Sequence, residues 1–130
     1  MRVAVYGRTF DQRFLRFIKD FFHWLKEYGF DVYVYHDFLP FMEQQMGYQP
    51  PYSGTFHGYH DLKEDTDFVV SIGGDGTFLD TVSLVRDSGI PVIGINSGKL
   101  GFLASISKDD LHQAVGALYK GNYTTESRSL

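Results

Sequence analysis

Apolar, β-branched runs alternate along this chain with segments of helical period, and the alternation leaves few architectures open. "RVAVYG", from Arg2 to Gly7, has the length and content of a buried strand closed by glycine. In "DQRFLRFIKDFFHWLKEYGF" the residues Phe14, Ile18, Phe21, Leu25 and Tyr28 recur at steps of three and four, with Phe17, Phe22 and Trp24 beside them. That spacing predicts an amphipathic helix with a broad apolar face, ended at Gly29. Its aromatic stripe reads as core rather than as a cofactor box, because Phe and Trp bury large areas. Further strands are expected over Asp31 to Phe38, over Thr66 to Ile72 and in "PVIGIN" from Pro91. Phe78, Leu79, Val82 and Val85 predict a helix between the last two of these. A final helix is expected in "KDDLHQAVGALYKG", opened by a capping box from Ser107 to Asp110. Strands that alternate with helices form a mainly parallel sheet covered on both faces, so the class is α/β with three layers. Ligands of such folds bind at the carboxyl ends of the strands.

The stretch from Pro40 to His60 breaks the pattern. It holds Pro40, Gly47, Pro50, Pro51, Gly54 and Gly58, and reads as a long loop with one helical turn around "FMEQQM".

Composition narrows the function classes. The 130 residues suit one ordinary domain with its own core. Twelve basic against sixteen acidic residues give a net charge of -4, which argues against a nucleic-acid partner. An anionic small ligand stays open, because backbone dipoles bind phosphate without net positive charge. With no cysteine, disulfides and thiolate metal sites are excluded and a cytosolic setting is favoured. No run approaches the roughly 20 apolar residues of a membrane span. The opening "MRVAVYGRTF" is too short for a signal-peptide core. The expectation is a soluble, cytoplasmic protein with no membrane partner.

The chemistry concentrates in two glycine turns. In "VVSIGGDGTFLDTV", Gly73, Gly74 and Gly76 surround Asp75, and Thr77 follows as a candidate N-cap. A strand-to-helix turn exposes backbone N–H groups at the positive end of the helix dipole, which suits phosphate. Asp75 would repel bare phosphate but fits a hydroxyl, or a metal carried by the phosphate. A carboxylate beside a hydroxyl can take its proton as a general base, and phosphoryl transfer to an alcohol needs both that acid and a phosphate cradle. The plainer reading is a turn in which Asp75 caps the helix; both stand on residue pattern alone.

The second turn is "GINSGKLGFLA", Gly94 to Ala104. It is not a Walker A loop: three residues, not four, separate Gly94 from Gly98, and Leu100 rather than Ser or Thr follows Lys99. No G-x-G-x-x-G fingerprint occurs either. What remains presents Asn96, Ser97 and Lys99, then Leu100, Phe102 and Leu103. Apolar groups beside a phosphate turn suit a flat ring; equally, Phe102 and Leu103 are ordinary core residues.

Taken together, "GGDGTFLDTV" and "GIPVIGINSGKLGFLASIS" closely resemble the N-terminal domain of bacterial NAD kinases, over essentially the whole chain. The paired motifs are specific. Diacylglycerol and sphingosine kinases, and more distantly phosphofructokinases, share only a G-G-D-G turn. The resemblance implies a Rossmann-like, phosphofructokinase-like α/β domain that works on nucleotides. It implies that Asp75 contacts NAD and accepts the proton of the adenosine ribose 2'-hydroxyl, with Gly76 as its NAD-contacting neighbour. It places Gly73, Gly74 and Thr77 near donor phosphates, and Asn96, Leu100, Gly101 and Phe102 in the nucleotide pocket. Lys99 falls at a variable position and takes no role. The implied reaction is phosphoryl transfer from ATP, or polyphosphate, to NAD, giving NADP. Mg²⁺ enters with ATP, no metal is held by the protein itself, and the whole protein is a homo-oligomer. The rivals are a diacylglycerol-type lipid kinase and a non-catalytic nucleotide-binding domain.

The tail "NYTTESRSL" turns polar and β-prone and reads as a strand without a partner in this chain. Residues 1–122 are therefore expected to form the α/β nucleotide-binding domain, and 123–130 to begin a truncated, β-rich C-terminal domain. The resemblance places further site motifs in that missing domain, so the fragment is expected to have little activity. His57, His60 and Asp61 lack a third well-placed ligand set and read as loop residues in solvent. Arg8 falls at the same strand edge as the glycine turns, and is either solvated or in contact with phosphate.

Overall fold

The computed structural model describes residues 1–62, 65–85, 88–96, 112–113, 115–117 and 128–129. Strand β1 (Arg2–Gly7) leads through a short 3₁₀ turn (Gln12–Phe14) into α1 (Leu15–Glu27), and β2 (Asp31–Tyr35) follows. A helical segment comes next: α2 (Phe38–Pro40) runs into a π-helical turn, Phe41–Gln45. Then come β3 (Gly54–Phe56), β4 (Phe68–Gly73), α3 (Asp75–Val85) and β5 (Val92–Asn96). Residues 112–113 and 115–117 are helical, and β6 (Arg128–Ser129) is the last described element.

The six strands form one sheet in the order β3-β2-β1-β4-β5-β6, and every neighbouring pair is parallel. The α/β class read from the alternation is the observed one. The chain builds outward from β1 to β3 on one side, then crosses to β4 on the other. The crevice between the carboxyl ends of β1 and β4 is therefore the topological switch point, where open α/β sheets bind ligands.

Both faces of the sheet are covered. Val3 and Val5 of β1, with Val32, Val34, Val70 and Ile72, meet the 3₁₀ turn through Phe14 and α1 through Phe17, Ile18, Phe21, Phe22 and Leu25. The intervening residues Ala4 and Tyr6, with Val69 and Val92, pack on the opposite face with Phe56 and with Val85 of α3. This alternation follows from the two-residue period of a strand. The aromatic stripe of α1 is core, as its spacing predicts; Trp24 and Tyr28 pack at its margin, where the His112 ring stacks 3.9 Å from Trp24.

Four expectations need correction. The second strand stops at Tyr35, because Phe38, Leu39, Phe41 and Met42 turn inward as a buried helical segment. The Phe38 ring lies so close to Gly7 that a Cβ there would come within 2.7 Å of it. The stretch read as a loop contains β3, which pairs Gly54 with Tyr33 and Phe56 with Tyr35. Three residues opened by a glycine carry almost no strand signal, and Gly54 is required because a Cβ there would lie 2.7 Å from the Tyr33 ring. The apolar residues of α3 do not all face inward: Leu79 is 66% and Val82 40% exposed, while Thr81 is fully buried. Finally, the tail strand has a partner, since Arg128 pairs with Ile93 and Ser129 with Gly94. The expected capping box at Ser107 and Asp110 lies outside the described residues. Among the described residues, no helix is long and apolar enough to cross a membrane.

Candidate functional site

The register of the sheet gathers the site. Gly7, the last residue of β1, pairs with Ile72, and Gly73, the last of β4, pairs with Asn96, the last of β5. The first glycine turn and the end of β5, from which the second glycine-rich stretch continues, therefore lie at one carboxyl edge. Arg8 leaves from the same edge.

At the first turn the glycines divide into two kinds. Gly73 has φ +152, a conformation side chains rarely adopt, and a Cβ there would lie 2.7 Å from Thr77 Oγ1. At Gly74 and Gly76 an added Cβ would meet nothing within 4 Å. The first glycine is fixed by the fold, whereas the other two border open space at the switch point.

The Gly74 carbonyl accepts the Phe78 N–H at 3.0 Å, which makes Gly74 the residue that opens α3. Thr77 is not the N-cap that its type suggests. It stands third in the helix and packs against Gly73. The amides of Asp75, Gly76 and Thr77 come before the first intrahelical donor, the Phe78 N–H, so the positive end of the helix dipole lies at this turn. An acid in the first turn is favourable there, and Asp75 is the first residue of α3.

Helix α3 is held to the sheet by a buried polar contact. Thr81 Oγ1 is hydrogen-bonded to Ser71 Oγ of β4 at 2.9 Å and to the Thr77 carbonyl at 2.8 Å. Buried hydroxyls are tolerated only when so paired. The bond fixes the angle at which the first turn meets β4, a role that apolar periodicity does not reveal.

Beside the turn, Arg8 reaches from β1 to α3. Its Nη2 lies 2.9 Å from Asp80 Oδ2, and its Nε donates to Tyr6 Oη at 3.3 Å. Tyr6 is buried and its ring stands 4.7 Å from that of Tyr35. Burial, with help from Asp37, pushes the Tyr35 phenol above its ordinary range. Sequence reading named Arg8 but missed Asp80, whose signal was its position four residues after Gly76, on the same helix face.

Of the residues expected in the site, the structure brings Gly73, Gly74, Asp75, Gly76, Thr77 and Asn96 to one edge. Leu100, Gly101 and Phe102, with Ser97, Lys99 and Leu103, lie outside the described residues. The loop histidines are exposed: His57 donates its backbone N–H to Asp61 at 2.8 Å and stacks on His36 at 4.2 Å. That backbone bond holds the Asp61 carboxyl below its ordinary range. Among the described residues, no group of three or more His, Asp or Glu side chains is placed to hold a metal.

Comparison with known proteins identifies this arrangement. Residues 7–123 match the family described as ATP-NAD kinase N-terminal domain. The NAD kinase of Bacteroides fragilis is 33% identical over 130 residues, all of this chain and 44% of the relative. That of Porphyromonas gingivalis is 35% identical over 129 residues, 99% of this chain and 44% of the relative. The chain thus spans less than half the length of the curated relatives it matches. With nine-tenths of its length inside the family match and the G-G-D-G-T turn at the switch point of its sheet, the chain belongs to the ATP-NAD kinase N-terminal domain family.

Proposed function

We infer that this chain is the nucleotide-binding half of an enzyme that phosphorylates the 2'-hydroxyl of the NAD adenosine ribose, giving NADP. The observation that carries the reading is the open space at Gly74 and Gly76, beside a Gly73 that the fold itself uses up. A ligand that approaches the main chain there meets the amides that open α3. Family membership supplies the substrate class.

On this reading the residues take the following roles. Gly76 and Thr77 offer first-turn backbone N–H groups to donor phosphates, and Gly74 leaves room for them to approach. The Asp75 carboxylate takes the proton of the 2'-hydroxyl while the 2'-oxygen bonds to the terminal phosphorus and the bond to the leaving diphosphate breaks. Asn96, at the end of the neighbouring strand, borders the same nucleotide space, and the resemblance to NAD kinases assigns Leu100, Gly101 and Phe102 to the nucleotide as well. The donor is ATP, or polyphosphate in its place. Mg²⁺ supplies charge neutralisation to the phosphates. On this reading the phosphates provide most of its ligands. A cytoplasmic setting and a homo-oligomer of the whole protein go with this reading.

The test is NADP formation by the full-length gene product from NAD, ATP and Mg²⁺, beside Asp75→Asn. Removal of a general base is expected to cost about 10²- to 10⁴-fold in kcat. Absence of NADP formation by the parent, or an unchanged rate in the variant, would overturn the reading. The 130-residue chain alone is expected to form little NADP.

A further inference from the structure

Arg8 has a geometry that the packing of the fold does not require. Gly7 pairs with Ile72, so one step further along both strands puts Arg8 level with Gly73 at the switch point. Its guanidinium crosses the mouth of the crevice to Asp80, 2.9 Å away, although both side chains are largely in solvent, at 62% and 45% exposure. Exposed ion pairs of this kind contribute little to stability. Two contacts fix the side chain, through Nη2 to Asp80 and through Nε to Tyr6 Oη. A guanidinium carries five N–H donors in a rigid fork, so most remain for another acceptor. Asp80 stands four residues after Gly76 and three after Thr77, on the same face of α3. Side chains at those spacings are about 5–6 Å apart. Asp80, the anchor of the fork, therefore stands about one helical turn from Gly76, the nearer of the two open glycines.

We propose that Arg8 binds the transferring phosphoryl group of the donor, and that Asp80 is a positioning residue that holds the Arg8 fork over the crevice. The inference rests on the kinase reading of the site and adds to it the one fixed cation at the switch point among the described residues. Arginine suits the task because its planar donors match two phosphate oxygens at once, which a lysine cannot do. The carboxylate of Asp80 keeps the fork in place before the donor arrives, which lowers the ordering cost on binding.

The experiment uses the full-length protein with Arg8→Gln, Arg8→Lys and Asp80→Asn. Three readouts are needed: KM and kcat for ATP and for NAD, calorimetric binding of inorganic tripolyphosphate, and the melting temperature. Loss of charge-assisted hydrogen bonds predicts that Arg8→Gln raises the KM for ATP and weakens tripolyphosphate binding by about tenfold or more. The KM for NAD and the melting temperature should hold. Arg8→Lys is expected to recover part of the binding, as a point charge without the fork. Asp80→Asn should move the same parameters in the same direction by a smaller factor, about threefold. Unchanged ATP parameters in Arg8→Gln would overturn the proposal. So would a parallel change in both KM values together with a lower melting temperature, which is the mark of a merely structural ion pair. The two readings can fail separately. If no NADP forms yet tripolyphosphate binds in an Arg8-dependent way, the acceptor assignment falls and the Arg8 role stands. If NADP forms and tripolyphosphate binding ignores Arg8, the reverse holds.

Discussion

Helices α1 and α3 cover opposite faces of one sheet and do so by different chemistry. On α1, five apolar residues from Phe17 to Leu25 are buried against the strands, and the inward face is the face its periodicity announces. On α3 the inward face carries Thr81, bonded to Ser71 and to the Thr77 carbonyl, while Leu79 and Val82 point outward. A helix that only closes the core can be written as an apolar stripe. A helix whose first turn must meet a strand end at a fixed angle is set instead by a glycine that can take an unusual φ and by one buried hydroxyl pair.

The largest effect that would break this comparison is on the α1 side. Phe22 is fully buried and its ring meets Phe21 at 5.9 Å. Phe22→Ala is expected to cost about 3–5 kcal/mol in urea unfolding, through lost transfer free energy and the cavity left behind. Leu79→Ser removes a comparable apolar side chain from α3 yet should stay within about 0.5 kcal/mol, because Leu79 is already exposed. Equal costs for the two substitutions would show that α3 is buried against something the sheet does not provide.

A smaller effect sharpens the contrast within the glycine turn. Gly73→Ala places a methyl group against Thr77 at φ +152 and is expected to destabilise by about 1–3 kcal/mol. Gly76→Ala meets no atom within 4 Å and removes a glycine from a helix, so it should be neutral or stabilising by up to about 1 kcal/mol. In the full-length protein the same Gly76→Ala is expected to raise the KM for ATP, since the methyl group would occupy space assigned to the donor. Loss of stability in Gly76→Ala, or unaltered ATP kinetics, would place the ligand elsewhere.

These differences mark what sequence could and could not disclose. The parallel α/β class, α1 with its buried aromatic face, and the shared edge of the first glycine turn and the end of β5 were legible, because periodicity and turn residues encode them directly. Strand β3 was not, since Gly54, Thr55 and Phe56 are too few to show a period, and its glycine answers to the Tyr33 ring across the sheet. The place of Thr77 in the helix was misread for a related reason: a residue type that caps helices here packs against a glycine one turn back. Asp80 went unnoticed because its partner, Arg8, is distant in sequence and meets it only when β1 and β4 come together. The G-G-D-G-T run marked the turn, but only the structure separates the glycine that the fold consumes from the two that face open space.

The smallest effect at neutral pH tests how far the α1 face extends. Tyr48 lies beyond the helical segment that follows β2, yet its ring meets Phe22 at 6.3 Å, with Lys19 Nζ 5.6 Å from the ring centre. Burial first, and then the Asp20 carboxylate, push its phenol up to about 12. An unfolded tyrosine ionises near 10. From about pH 10 to about pH 12 the unfolded chain has released a proton that the folded chain keeps, so stability falls as pH rises through this window. Below about pH 10 the contribution is complete and flat. Tyr48→Phe removes that titration, and its melting temperature should fall less steeply than the parent's across the window, while the two run parallel below it. Parallel curves up to pH 12 would mean that the phenol is solvated and that the packed aromatic face ends at α1. A parent curve that bends alone would extend this face into the segment between α2 and β3, on the side of the sheet away from α3.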